Sequence, residues 1–238
     1  MIYWVVATLC AFFVKGLCGF ANTLVFTSIL SFGVDNVDIS PVELLLGFPA
    51  NAILAFRERR AIRWRLCLPL AALVILGCVP GALFLKRSDV RLVKLIFGVV
   101  IIFLGVEMLF RELRAKKGRP SKALMLIVGV LSGVLCGLYG IGALVGAYLG
   151  RCVDDSHAFK GNIAMVFFCE GLFRIILYRA WGVMAPGAFL SALKLMPFAL
   201  AGLALGMLAG RVLNERRSRF VVIAALIVSG AALIVNSL

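Results

Sequence analysis

The sequence predicts an all-α polytopic membrane protein that contains two copies of one helical unit. Composition is the first reason: 63% of the 238 residues are hydrophobic and 15% are charged, whereas a soluble domain is closer to half apolar. Charge spacing is the second, because charged residues cluster between apolar stretches of about 20 residues, the length that crosses a bilayer core. Repetition is the third: the glycine-rich break GLCGFANTL at 16–24 returns as GLYGIGALV at 137–145.

Later glycines repeat at nearly the same distance. Gly77 and Gly81 correspond to Gly202 and Gly206, and the offset between halves is 121 residues at the break and 125 at these glycines. Interrupted helices at matching places in two halves are typical of transporters whose substrate site lies where the repeats meet. The predicted division is a first repeat (1–115), a basic cytoplasmic linker (116–122) and a second repeat (123–238).

The elements follow in order along each half. Ser40-Pro41-Val42-Glu43 combines a capping box with a proline at the first helical position, so a helix is predicted to begin there. Segments 1–34 and 123–150 each hold two short apolar stretches around the break, and each is a short-helix pair or a hairpin. Three transmembrane helices are predicted after each, and these six crossings cover 42–57, 66–86, 90–110, 161–178, 188–209 and 219–237.

The distribution of positive charge favours inverted rather than parallel repeats. If each broken segment starts and ends on one side of the bilayer, the loops inside carry 17 Lys and Arg residues and those outside carry six. If each broken segment is instead one kinked crossing, the repeats are parallel and the numbers are 13 and 10. Cytoplasmic loops are enriched in Lys and Arg, so the inverted arrangement fits better.

Polar side chains inside apolar segments are the candidate substrate site, because placing them in hydrocarbon is costly. Lys15 sits at the first break, where glycines allow close approach and helix N-termini favour anions. Asn22 and Thr23 follow as hydrogen-bond donors. Lys15 as a snorkelling residue, and Asn22 and Thr23 as helix caps, are the alternatives. The predicted substrate-binding residues are Lys15, Gly16, Gly19, Asn22, Thr23, Asn51, Gly137, Tyr139, Gly140, Gly142, Asn162 and Arg174.

The second half contributes differently to this predicted site. Its break offers backbone groups and the Tyr139 hydroxyl, so we expect an asymmetric site with its charge supplied by the first half. Glu170 and Arg174 are four residues apart in the order that favours a helical ion pair, and Arg174 as a gate for an anion is the alternative. Asn51, like Asn162, fits an interhelical hydrogen bond as well as a substrate contact.

The sequence argues against an enzyme, a cofactor or a metal site. His157 is the single histidine, and there is no HExxH, no GxSxG with a partner histidine and no P-loop. The seven cysteines form no CxxC pair. The net charge of +14 lies in loops beside the spans, where it fits lipid head groups better than nucleic acid. The expected partners are a small organic or inorganic anion, the lipid bilayer and, for so small a chain, a second copy in a homodimer.

The order of these motifs resembles a known family. KGLCGFANTL is followed by AFRERRAIRWRLCLPLAAL and then by GCVPGALFLKRSDVRLVKLIFGVVIIFLGVEMLFRE. This pattern is similar to that of the sulfite exporter TauE/SafE family of membrane permeases over nearly the whole chain. The resemblance implies a multi-pass transporter of the plasma (inner) membrane for sulfite, sulfonates or related anions, with both breaks lining the site. The first break, GFAN, departs from the denser glycine run of the family and carries Lys15, which implies an altered substrate.

The predicted function is export of a small sulfur-containing anion driven by the membrane potential. An inside-negative potential favours anion exit by about 2.3 kcal/mol per charge per 100 mV. Two alternatives stay open at this point. One is a passive anion channel that uses the same polar groups. The other is a membrane scaffold or assembly factor without transport, in which the glycines serve close helix packing.

Overall fold

The structure is a computed structural model that describes residues 2–30, 34, 36–87, 99, 102, 106, 122–153, 155–184 and 186–210. Throughout these residues the regular elements are helical, without strands. A short 3-10 turn lies at Arg59–Ala61. The α-helices are α1 (Ile2–Cys18), α2 (Asn22–Leu30), α3 (Asn36–Arg57), α4 (Trp64–Arg87), α5 (Lys122–Tyr139), α6 (Ala143–Cys152), α7 (Ser156–Ala180) and α8 (Pro186–Ala209).

Three segments in the described part are long and apolar enough to cross a bilayer: Asp38–Arg57, Trp64–Lys86 and Gly187–Ala209. Ile2–Cys18 and Lys122–Leu138 are shorter apolar helices. Within the described residues, the prediction of helices that are long and apolar enough to span a membrane is therefore confirmed. The predicted crossings 90–110 and 219–237 lie outside the described residues, apart from helical positions 99, 102 and 106.

The predicted start of the first long crossing is wrong. Helix α3 begins at Asn36, so Ser40 is inside it and is not an N-cap. The Ser40 hydroxyl instead forms a hydrogen bond of 3.1 Å with the Tyr178 hydroxyl on α7, and the Glu43 carboxylate accepts hydrogen bonds from α2. Both side chains of the supposed capping box are engaged in tertiary contacts, and these outweigh the local capping pattern.

Each glycine-rich break folds its segment back on itself. Helix α2 returns along α1, since the rings of Trp4 and Phe26 lie edge to face with centroids 5.9 Å apart. Gly19 (φ 84°) and Ala21 (φ 72°) form this turn, and Gly140 (φ 74°) forms the turn between α5 and α6. These left-handed conformations suit glycine and are strained for alanine by about 1–2 kcal/mol.

Helices α3 and α7 lie side by side at the centre and run in opposite directions. At one end, a Cβ at Gly161 would be 3.0 Å from Glu58; at the other, a Cβ at Gly171 would be 3.6 Å from Leu44. Between them, Phe48 and Phe168 stack with ring centroids 4.9 Å apart. This antiparallel pair places the middle of both helices beside the hairpin turns.

Two close helix crossings flank the central pair. Helix α4 packs on α5, with Gly77 and Gly81 against the backbone carbonyls of Val130 and Val134. Helix α8 packs on α1 in the same way, with Gly202 against Leu9 and Gly206 against Phe13. Residue numbers rise together along both partners, so each pair is parallel. Helices α4 and α8 therefore each pack on the hairpin of the other half. The glycines at these crossings let the backbones approach closely.

Candidate substrate site

The candidate site is a small cavity between the two hairpin turns and the middle of α3 and α7. Its volume is about 30 Å³, enough for roughly two water molecules. Phe20, Phe48 and Phe167 supply much of its apolar wall. The polar side chains that line it are Lys15, Asn22, Thr23, Glu43, Asn51, Glu170 and Arg174.

The Lys15 side chain extends from α1 into this cavity. It does not extend to the protein surface. Lys15 is only 1% exposed, and its ammonium group donates a 2.9 Å hydrogen bond to Oδ1 of Asn22. The alternative of a snorkelling lysine therefore does not describe this structure. Asn22 links Lys15 to Glu43, because its amide nitrogen donates a 2.5 Å hydrogen bond to Oε1 of Glu43.

Glu43 is the residue that sequence reasoning missed. Glu43 is 2% exposed. Its Oε1 accepts hydrogen bonds from the Asn22 amide and from the Thr23 hydroxyl, the latter at 2.7 Å. A usable signal was present in the sequence. Glu43, Gly47 and Asn51 follow each other at four-residue spacing, which puts a carboxylate, a gap and an amide on one helical face. Asn51 was already a candidate, so the same face pointed to Glu43.

Arg174 holds the opposite side of the cavity from α7. Its Nε lies 3.1 Å from Oε1 of Glu170, so the predicted ion pair is confirmed. Its Nη1 donates a 2.6 Å hydrogen bond to the carbonyl oxygen of Cys136 on α5, and its Nη2 lies 3.9 Å from Oε2 of Glu43. Arg174 thus links α7 to α3 and to the end of the second hairpin's first helix.

The charges of the site are formally balanced. Two cations, Lys15 and Arg174, face two carboxylates, Glu43 and Glu170, and all four residues are at most 4% exposed. Buried charges are tolerable when they are paired in this way. The expectation that the first half alone supplies the charge is wrong, since each half contributes one acid and one base.

Two polar atoms at the cavity have no hydrogen-bond partner among the described residues. One is the amide oxygen of Asn51, and the other is Nε of Arg174, whose N–H is not directed at the nearby carboxylate. Buried donors and acceptors are rarely left unpaired. A ligand in the cavity would meet an available guanidinium donor and an available amide acceptor.

The second hairpin contributes closely packed glycine backbone at the cavity. A Cβ at Gly140 would lie 2.9 Å from Nη1 of Arg174, 2.9 Å from the Thr23 methyl carbon and 3.0 Å from Oε2 of Glu43. A Cβ at Gly142 would overlap the Phe167 ring. Only glycine at these positions lets the turn of α5 and α6 approach the polar residues of the first half.

Comparison with known proteins is decisive for the class of this protein. Residues 4–233 match the family model described as "Sulfite exporter TauE/SafE", which is nearly the whole chain. The chain belongs to the TauE/SafE family. No curated protein and no solved structure matches it.

Membership in the TauE/SafE family fixes the broad class of the protein. The protein is a multi-pass membrane protein of a transporter family and is not an enzyme. In the part of the chain that the structure describes, no three His, Cys, Asp or Glu residues are grouped to hold a metal ion.

The TauE/SafE chain places four of the predicted site residues away from the cavity. Gly16 packs against the α8 backbone, and a Cβ at Gly19 would lie 2.8 Å from the Lys160 side chain. Gly137 packs on α4, and its carbonyl oxygen accepts from the Tyr178 hydroxyl at 2.9 Å. Asn162 accepts from the backbone N–H of Arg63 at 2.9 Å. The side chain of Tyr139 lies outside the described residues.

Seven predicted residues do come together around the TauE/SafE cavity, and they come from both halves of the chain. The first hairpin and α3 supply the side-chain donors and the amide, and the second hairpin and α7 supply the glycines and the guanidinium. These seven residues are Lys15, Asn22, Thr23, Asn51, Gly140, Gly142 and Arg174.

Proposed function

We propose that this TauE/SafE protein exports a small sulfur-containing oxyanion, such as sulfite or a sulfonate, through the cavity between its two hairpins. One observation carries the proposal: the buried cations Lys15 and Arg174 both line that cavity, beside the donors Asn22 and Thr23. Cations and hydrogen-bond donors in a low-dielectric site suit a compact oxyanion. The sulfur chemistry is taken from the family description.

We further propose that the two halves, 1–115 and 123–238, are inverted repeats joined by the basic linker 116–122. The opposite directions of α3 and α7 support this, since these are the first long helices of the two halves. The matched crossings of α4 on α5 and α8 on α1 support it as well. The excess of Lys and Arg in the loops assigned to the inside supports the proposed orientation in the plasma membrane.

The cavity is too small for a substrate of this size, so transport in this proposal requires movement. Sulfite has four non-hydrogen atoms, whereas about 30 Å³ accommodates roughly two waters. The moving parts are the two halves, which rock around the site as in other repeat-built transporters. The membrane potential then drives export, because an inside-negative potential makes the exit of each negative charge more favourable by about 2.3 kcal/mol per 100 mV.

The test is uptake of labelled sulfite into proteoliposomes that contain the purified protein, with a positive-inside potential imposed. The uptake is expected to saturate with sulfite concentration and to be suppressed when the sign of the potential is reversed. Unlabelled taurine, sulfoacetate, thiosulfate and sulfate serve as competitors. Empty liposomes are the control. The competitor that suppresses uptake most strongly identifies the class of substrate.

Two outcomes would point away from this function. Flux that rises linearly with sulfite and shows no counterflow would indicate a passive channel. Flux equal to that of empty liposomes for every anion, at either sign of potential, would overturn the export proposal and favour a structural role in the membrane.

A further inference from the structure

We propose that the Glu43 carboxylate occupies the oxyanion position of the empty carrier, and that substrate binds by taking over its hydrogen-bond donors. This inference rests on the proposed function of the cavity. It makes Glu43 a specificity-determining residue that competes with the transported anion for one set of ligands.

The contacts of Glu43 are those expected for a bound oxyanion. Two donors from the first hairpin, Asn22 at 2.5 Å and Thr23 at 2.7 Å, both reach its Oε1. The Lys15 ammonium stands behind Asn22, 2.9 Å from its amide oxygen. On the other side, Nη2 of Arg174 lies 3.9 Å from Oε2. A carboxylate that belongs to the protein thus fills the place where donors and cations meet.

Two glycine backbones pack closely against this carboxylate. A Cβ at Gly47 would lie 3.2 Å from Oε1, and a Cβ at Gly140 would lie 3.0 Å from Oε2. The carboxylate is therefore flanked by two glycines, one from α3 and one from the second hairpin. Small outward movements of these backbones open space beside the donors for a sulfonate or sulfite head with three oxygens.

Glu170 is less suited to the same role. It forms its ion pair with Arg174 of its own helix, 3.1 Å away, and accepts a 3.6 Å contact from the Cys78 thiol. No donor of the first hairpin contacts it among the described residues. Glu170 orients the guanidinium, whereas Glu43 binds the donors that the two hairpins bring together.

Charge makes the competition specific. With both carboxylates ionised, the four charged groups sum to zero, so an added anion leaves one uncompensated negative charge in a buried site. Protonation of Glu43 from solvent removes that excess and weakens its hold on Asn22 and Thr23. The other charged or titratable groups around Glu43, from every helix packed against it, are Lys15, Cys78, Cys136, Glu170, Arg174 and Tyr178.

The test compares Glu43→Gln with wild type and with Glu58→Gln in direct binding of methanesulfonate to the purified protein. Glutamine keeps an oxygen that accepts from Asn22 and Thr23 but has no charge, and neutral hydrogen bonds are about half as strong as charged ones. Methanesulfonate keeps one charge across the whole pH range used. Glu58 pairs with His157 at 2.9 Å outside the cavity and provides the matched control.

The expected result is that Glu43→Gln binds methanesulfonate about tenfold more tightly than wild type at neutral pH. Wild type and Glu58→Gln should bind more tightly as pH falls, and Glu43→Gln should lose this dependence. Equal or weaker binding by folded Glu43→Gln, with the wild-type pH dependence intact, would overturn the inference. If Glu43→Gln does not fold, wild-type affinity that is independent of pH overturns it equally.

The role of Glu43 and the proposed transport function can be refuted separately. Wild-type protein that transports sulfite while Glu43→Gln behaves as wild type in binding refutes the role of Glu43 alone. Wild-type protein that binds neither methanesulfonate nor sulfite and shows no flux refutes the proposed function, and the inference with it.

Discussion

The two glycine-broken hairpins have similar backbones and contribute different chemistry. The first hairpin places three polar side chains at the cavity, Lys15, Asn22 and Thr23. The second hairpin places backbone there, at Gly140 and Gly142, against which neighbouring side chains pack closely. Repetition of the backbone break therefore does not imply repetition of the ligand set.

This difference assigns separate tasks to the two halves of the site. In the proposed function, side chains of the first hairpin help to select the charge that is bound, and the second hairpin sets how closely those side chains are covered. Charge substitutions in the first hairpin should then alter transport more than stability, whereas volume substitutions in the second should alter both.

The largest effect is expected for Lys15→Met, which removes the buried ammonium behind Asn22. Anion flux in proteoliposomes should fall on the order of 100-fold, because truncating one partner of a buried charged contact costs several kcal/mol. Lys194→Met is the matched control, since Lys194 lies on the exposed face of α8. Flux by correctly inserted Lys15→Met that equals flux by Lys194→Met would contradict the assignment.

A somewhat smaller effect is expected for Gly142→Ala in the second hairpin. The added methyl overlaps the Phe167 ring, so the turn must move away from the cavity. Flux should fall on the order of tenfold, and unfolding in detergent should occur at a lower temperature. Gly187→Ala is the control, because nothing lies within 4 Å of a Cβ there. Adding Phe167→Leu should restore part of both losses; if it restores neither, the covering role is wrong.

The two glycine crossings sharpen the comparison further. Gly77→Ala and Gly206→Ala each place a methyl against a carbonyl of the neighbouring helix, Val130 or Phe13. Each should destabilise the protein by about 1–3 kcal/mol, and by similar amounts, as measured by chemical unfolding in detergent. A large loss in one variant and none in the other would show that the two crossings are not equivalent.

The smallest effect on transport is expected for Asn162→Ala. Asn162 accepts from the backbone N–H of Arg63 and donates to the carbonyl oxygen of Ala158, away from the cavity. Stability should fall by about 1 kcal/mol, with KM for sulfite unchanged. Asn51→Ala, at the cavity, is the informative comparison and should change KM. A changed KM in Asn162→Ala would return that residue to the substrate site.

Much of the candidate site was readable from the sequence because isolated polar residues in apolar segments have few roles. Lys15, Asn22 and Thr23 stood out in this way, and the four-residue spacing of Glu170 and Arg174 gave their ion pair correctly. The helical membrane fold followed from apolar length and from clustered charge.

The rest depended on tertiary contacts that local patterns do not contain. Glu43 matched a capping box, and only the position of α2 shows that its partners are Asn22 and Thr23. Gly16 and Gly137 were predicted to bind substrate, yet both belong to helix crossings. A glycine that admits a ligand and one that admits a neighbouring backbone look alike in sequence.

The most direct measurement of the central claim is a structure of the protein with selenite, which has the shape and charge of sulfite and an anomalous X-ray signal. The account predicts one selenium peak in the cavity, with oxygens about 3 Å from Asn22, Thr23 and Arg174 and with the Glu43 carboxylate displaced. A selenium peak elsewhere in the protein, with this cavity unchanged at saturating selenite, would contradict it.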